Sequence, residues 1–234
     1  MKAIILAGGK GTRLREVIQD IPKPMALVDG KPFLEYLILQ LKKWKVDEVV
    51  LSVGYKREII KNYFGNGNKL GLSITYSEEN EPLGTGGALK KAASMIQESH
   101  FIVMNGDSIC PVDFHQFYTF HIQKGGILSM VITRPLPENS YGVVEVNSEN
   151  RILAFLEKVN SRKESFINAG IYIAERRIFD HMPAKNSFSL EYDLFPKILP
   201  LGCYGLQTVS QVIDIGTPER YVKALRKLSN ISSQ

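Results

Sequence analysis

Four short apolar runs, Ala3-Ile4-Ile5-Leu6, Val49-Val50-Leu51-Ser52-Val53, Leu72-Ser73-Ile74-Thr75-Tyr76 and Phe101-Ile102-Val103-Met104, most constrain what this chain can become. Each is too short for a helix and too continuously apolar for a half-exposed strand, so each reads as a buried strand. Between them lie segments with helical spacing. Pro32 opens one that runs through Trp44 with Leu34, Leu37, Ile38 and Leu41 on a single face, and another covers residues 58–64. Strand alternating with helix predicts βαβ units: an α/β fold with a mainly parallel central sheet and helices on both faces. In such sheets ligands bind at the carboxyl ends of the strands, so the loops after Leu6, Val53, Tyr76 and Met104 are expected to converge.

The loop after the first strand is Leu6-Ala7-Gly8-Gly9-Lys10-Gly11-Thr12-Arg13-Leu14. Glycines let a backbone bend through positive φ and bring its N–H groups close to an anion. Neither the Walker pattern nor the dinucleotide fingerprint fits, because Lys10 precedes Gly11-Thr12 and Leu14 stands where a third glycine belongs. A phosphate loop with neither signature points to a nucleotide used as substrate. Residues 10–19 read as a short helix, broken by Pro22-Lys23-Pro24, which is expected to hold Lys23 in a stiff, extended frame.

Later segments add to that anion site. Glu79-Asn80-Glu81-Pro82-Leu83-Gly84-Thr85-Gly86-Gly87 is a second glycine cluster, expected to enter a helix over residues 88–96. Its amides would meet a base or ribose, or Thr85 would simply cap the helix. Asp107, in Asn105-Gly106-Asp107 at a strand's carboxyl edge, is placed to hold Mg²⁺ against phosphates or to cap a turn. Asp214 precedes Gly216-Thr217-Pro218, where Thr217 is an N-cap with Pro218 at N1, and it supplies a second carboxylate.

The 44% hydrophobic and 23% charged residues of this 234-residue chain are ordinary for a soluble globular protein, and the formal charge of +5 reads as a mildly basic surface suited to small polyanions. Acidic residues are interspersed with the basic ones and no RNA-binding aromatic signature occurs, which argues against nucleic acid. Cys110 and Cys203 stand apart without a zinc or disulfide pattern, and no run approaches a membrane span. A cytoplasmic setting is expected, with a homo-oligomer left open. One domain over residues 1–234 is expected, with a nucleotide part at about 1–110, an elaboration at about 111–205 that carries the second substrate's pocket and a closing strand and helix at about 206–229.

These motifs, with Glu157-Lys158 and Asn168-Ala169-Gly170 in the same order, resemble the sugar-1-phosphate nucleotidyltransferase family across nearly the whole chain. The resemblance implies a Rossmann-like three-layer α/β/α domain in which a sugar 1-phosphate attacks the α-phosphorus of an NTP. Carried over, Leu6, Gly8, Gly9, Gly11, Thr12, Glu79, Gly84 and Thr85 bind the nucleotide, and Arg13, Lys23 and Asp107 are catalytic. Asp107 and Asp214 hold Mg²⁺. Gly142, Glu157, Lys158, Asn168 and Gly170 bind the sugar phosphate. Two departures stand out: residues 15–20 lack the usual proline-threonine stretch, and Val159 replaces the proline usual after Glu-Lys.

Within the family, Leu14-Arg15-Glu16-Val17, Lys31-Pro32-Phe33-Leu34-Glu35-Tyr36 and Glu81-Pro82-Leu83-Gly84-Thr85-Gly86-Gly87 are most similar to D-glycero-D-manno-heptose 1-phosphate guanylyltransferases. That implies GTP and a heptose 1-phosphate as partners, and a Glu79 carboxylate suits the amino group of guanine. The alternatives are mannose 1-phosphate with GTP, a uridylyl or thymidylyl transfer, and a non-catalytic nucleotide-sugar sensor. The chain length is expected to leave no room for a C-terminal β-helix or a second catalytic domain.

Overall fold

Side chains alternate across β1 (Lys2–Leu6): Ala3 and Ile5 join one buried cluster and Ile4 the other, so apolar layers must cover both faces of this strand. The computed structural model describes residues 1–14, 17–135, 142–156 and 165–231. The further strands are β2 (Leu27–Val28), β3 (Lys31–Pro32), β4 (Glu48–Val53), β5 (Ser73–Glu78), β6 (His100–Asn105), β7 (Ser108–Ile109) and β8 (Leu128–Thr133). After them come β9 (Val143–Val146), β10 (Ile152–Leu156), β11 (Phe166–Glu175), β12 (Cys203–Thr208) and β13 (Ile213–Asp214). The helices are α1 (Phe33–Lys43), α2 (Arg57–Phe64), α3 (Gly84–Ala92), α4 (Phe114–Lys124), α5 (Phe195–Ile198) and α6 (Pro218–Ile231).

Strands β5, β4, β1 and β6 lie side by side, all parallel, with β1 inside. Beyond β6 the sheet continues through antiparallel β11 to β8, and β12 runs parallel to β8. The first residues of β11 pair with β9, and β9 with β10, so the sheet has nine strands among the described residues. One face packs on α1, α2, α4 and α6 through Leu37, Ile60, Phe117 and Leu228. The other packs on α3 and α5 through Leu89 and Ile198. This is a three-layer, mainly parallel α/β/α arrangement.

Three local expectations change. Over residues 10–19 no α-helix is present among the described residues. Thr12–Leu14 forms one 3-10 turn that buries Leu14, and the Leu14 carbonyl then takes the amides of Val17 and Ile18. Lys23 is not extended either, since Pro22 alone has extended dihedrals and Lys23–Met25 is a 3-10 turn closed by the Ala26 amide on the Lys23 carbonyl. The third strand runs on to Glu78, because its ladder with β4 continues through Val53 and Glu78.

One buried titratable group on this scaffold makes a stability prediction. His121 on α4 is 1% exposed, with Nδ1 2.9 Å from Ser129 Oγ and its ring 5.2 Å from that of His100. Burial first, and the His100 imidazole second, pull its pKa down to about 4. The unfolded chain protonates this group near pH ~6.5 and the folded one does not, so stability is lost as pH falls through that window. The expected loss is about 2 kcal/mol between roughly pH 7 and 5. Urea unfolding at the two pH values checks it. His121→Gln should flatten the dependence, and an unchanged slope would remove His121 as its cause.

Candidate active site

The carboxyl ends of the parallel strands are stitched to one another. Ala7 N donates to the Ser52 carbonyl at 2.8 Å, Gly106 N to the Leu6 carbonyl at 2.9 Å, and Glu79 N to the Val53 carbonyl at 2.7 Å. The four loops therefore converge as β1, β4, β5 and β6 require. The loops after β1, β5 and β6 enclose a cleft of about 380 Å³ walled by residues 6–13, Lys23, Glu79, Gly84, Thr85, Asn105, Asp107 and Gly216 among others, and the loop after β4 is tied to the first through Tyr55 N on the Gly8 carbonyl at 3.3 Å.

Two of the loop glycines are needed for close packing. A Cβ on Gly8 would stand 2.4 Å from Glu79 Oε1, and one on Gly11, whose φ is +59°, would stand 2.7 Å from Lys23 Cβ. These glycines let Glu79 and Lys23 pass directly beneath the loop. Gly9 has open space where its Cβ would be.

Lys23 reaches across the cleft to Asp107. Its ammonium hydrogen-bonds Asp107 Oδ2, with the lysine side chain 11% exposed and the aspartate 42%. Burial raises the Asp107 carboxyl, but the Lys23 charge and hydrogen bond, with the Arg13 guanidinium, outweigh it and hold the pKa below the ordinary carboxylate value. Asp214, on β13, is joined to the site because β13 pairs with β7, immediately after Asp107. Its Oδ1 accepts from Gly216 N at 2.9 Å and from Arg220 Nη1 at 3.3 Å. A Cβ on Gly216 would lie 2.8 Å from Asp214 Oδ1 and 3.9 Å from Lys23 Nζ, so Asp214 lies next to Gly216, which with Lys23 and Asp107 lines the cleft.

Residues 2–231 match the family described as nucleotidyl transferase. The chain belongs to that family. It is 43% identical to the D-glycero-alpha-D-manno-heptose 1-phosphate guanylyltransferase of Aneurinibacillus thermoaerophilus, over 98% of this chain and 99% of that protein. Against the mannose-1-phosphate guanylyltransferase of Mycobacterium tuberculosis it is 36% identical over 94% of its length and spans 62% of that relative. The crystal structure of HddC from Yersinia pseudotuberculosis complexed with GMP-PN superposes with a TM-score of 0.86 at 36% identity, covering 97% of this chain and 99% of that one.

In this nucleotidyl transferase the second glycine cluster differs from its expected form. Helix α3 begins at Gly84, not at residue 88, because the Phe188 carbonyl takes the amides of Gly86 at 2.9 Å and Gly87 at 3.2 Å. A Cβ on Gly86 would overlap the Phe188 ring, so this cluster packs against the 186–191 segment and those two amides face that segment. Thr85 is not the N-cap: its hydroxyl donates to Glu191 Oε2 at 2.7 Å and accepts from Leu190 N at 2.9 Å. Glu79 is 7% exposed, and its oxygens accept from Ser52 Oγ at 3.1 Å and Leu83 N at 3.2 Å. Burial pushes its carboxyl up, against those two bonds.

On the β11 side, Asn168 N donates to the Gly142 carbonyl at 3.1 Å, and Asn168 Oδ1 accepts from Gly170 N at 2.9 Å. Gly170 has φ +75° and Asn105 Nδ2 would be 3.0 Å from its Cβ, which ties this patch to the end of β6. Glu157 and Lys158 lie outside the described residues. Sequence reasoning passed over two groups here. Arg220, 17% exposed and paired with Asp214, sits in the first turn of α6, and its only signal was its place after the Thr217-Pro218 cap. Asn105 lines the cleft with a buried Oδ1 that has no hydrogen-bond partner among the described residues, and its place directly before Gly106-Asp107 was its signal.

Among the described residues no three His, Cys, Asp or Glu side chains gather into a metal cage. Asp107 and Asp214 nevertheless fit Mg²⁺, which binds through one or two carboxylates with substrate phosphates and water completing its shell.

Proposed function

We propose that this chain transfers the guanylyl group of GTP to a sugar 1-phosphate, D-glycero-D-manno-heptose 1-phosphate, giving the GDP-sugar and pyrophosphate. A phosphate oxygen of the sugar 1-phosphate attacks the α-phosphorus, the new P–O bond forms, and the bond to the β-phosphate breaks. The nucleophile is already an anion, so no protein base is needed; the obstacle is repulsion between two polyanions. The single observation that carries this reading is the grouping of Arg13, Lys23 and Asp107 in one cleft under a glycine loop, with Asp214 next to Gly216 of its wall.

In this reading the loop amides and Arg13 take the triphosphate, and Lys23 leaves Asp107 to bridge the reacting phosphates. Asp107 and Asp214 would hold Mg²⁺, which would supply neutralisation of the phosphate charge. Each oxygen of Glu79 keeps a lone pair beyond its internal bond, which suits guanine's amino group. Asn168, Gly142 and Gly170 face the sugar, with Glu157 and Lys158 assigned there as well. The GDP-sugar would feed surface polysaccharide synthesis.

Pyrophosphate release from four NTPs against several sugar 1-phosphates, with Mg²⁺, tests the proposal. GTP with the heptose 1-phosphate should give the highest kcat/KM. Preference for mannose 1-phosphate would move the substrate to that sugar. No turnover with any pair, while a nucleotide sugar still raises Tm, would replace catalysis by sensing.

A further inference from the structure

We propose that Glu191, acting through the Thr85 hydroxyl, is a positioning residue that sets the nucleotide wall of the cleft. The inference rests on the proposed function and on Gly84 and Thr85 lining the cleft assigned to the nucleotide. Helix α3 has no capping side chain of its own, since its N-cap position is Leu83. Its first turn is held from about a hundred residues away. The Phe188 carbonyl closes the Gly86 and Gly87 amides, and Glu191 Oε2 accepts both the Thr85 hydroxyl at 2.7 Å and the Ser189 hydroxyl at 2.6 Å.

Glu191 lies in a single π-helical turn, Leu190–Leu194, a geometry frequent at functional sites. The turn is knit to itself: Ser189 Oγ accepts from Glu191 N at 3.1 Å, and Asp193 Oδ2 accepts from Ser189 N at 2.8 Å. Glu191 is thus presented on a fixed frame. A wall residue whose hydroxyl donates to a carboxylate and accepts an amide has one rotamer, so the backbone of the first turn has one position. Preorganisation of that kind appears in substrate affinity, and a displacement of about 1 Å costs up to roughly 10²-fold.

Glu191→Ala should weaken GTP binding by roughly 10- to 100-fold, by calorimetry without sugar phosphate, and raise the KM for GTP alike. The KM for the sugar 1-phosphate should stay within about twofold, and Glu191→Gln, which keeps an acceptor oxygen, should recover most of the GTP affinity. Unchanged GTP affinity in both variants would overturn the proposal. So would a parallel loss of both KM values with a lowered Tm, the mark of a merely structural group. If Glu191→Ala does not fold, Ser189→Ala, which removes one of the two hydroxyls on Oε2, carries the test: a weaker GTP Kd at normal Tm supports the role and an unchanged Kd overturns it. Wild-type protein that binds no NTP would instead refute the functional reading, before any variant is made.

Discussion

Asp107→Asn is expected to lower kcat by about 10²- to 10³-fold while the protein still folds. The amide is isosteric and keeps an oxygen for the Lys23 ammonium, so the cleft retains its shape. What it loses is the anionic oxygen pair on which a divalent cation would sit opposite Asp214. The stability cost should be small, below about 1 kcal/mol, because the carboxylate is part-exposed and water can solvate the lysine. The Asp107 carboxyl is held below its ordinary value by Lys23 and Arg13, so its contribution is present at neutral pH and lost only as pH falls through that lowered value. Pyrophosphate release measures the kinetic effect, Mn²⁺ binding gives a readout independent of turnover, and Tm reports the fold. Near-normal turnover with undiminished Mn²⁺ binding would remove Asp107 from the site.

Gly106→Ala should damage both stability and activity, for a reason Asp107 does not share. A Cβ at Gly106 would stand 2.7 Å from the Leu6 carbonyl oxygen and 3.1 Å from Ala7 Cα, both backbone atoms of the strand end that carries the phosphate loop. The Gly106 amide is bonded to that same carbonyl at 2.9 Å, so the two chains cannot part without losing the bond. Overpacking of this kind costs about 1–3 kcal/mol, which lowers Tm by about 2–4 °C per kcal/mol in a chain of this size. The displaced Asp107 should cost a further factor of roughly 10² in kcat/KM. Gly9→Ala is the control for stability, since nothing lies within 4 Å of its added carbon. Equal melting temperatures for the two variants would show that the β1–β6 contact yields more easily than its geometry implies.

The architecture was legible because it follows from short-range rules. Apolar runs such as Ile4-Ile5-Leu6 must be buried on both faces, and Thr217-Pro218 starts α6 whatever lies around it, with Arg220 N on Thr217 Oγ1 at 3.4 Å. The converging loops and the carboxylate at the end of β6 were equally readable, since strand polarity alone directs them to one edge.

What could not be read were contacts between segments distant in sequence. Helix α3 starts four residues early because of a carbonyl at Phe188, and Thr85 serves Glu191 and Leu190 instead of capping. Lys23 stands in a 3-10 turn with its ammonium on Asp107, and Gly11 is glycine because Lys23 passes beneath it. The sequence by itself determined the layers, the parallel direction of the first strands and the identity of the charged groups, all of which depend on local periodicity and residue chemistry. Only the tertiary structure decided which charges face one another, which glycines serve packing and which hydroxyls are already spent. Pairings of that kind depend on distances between residues some 80 to 110 positions apart, and periodicity carries no information about them.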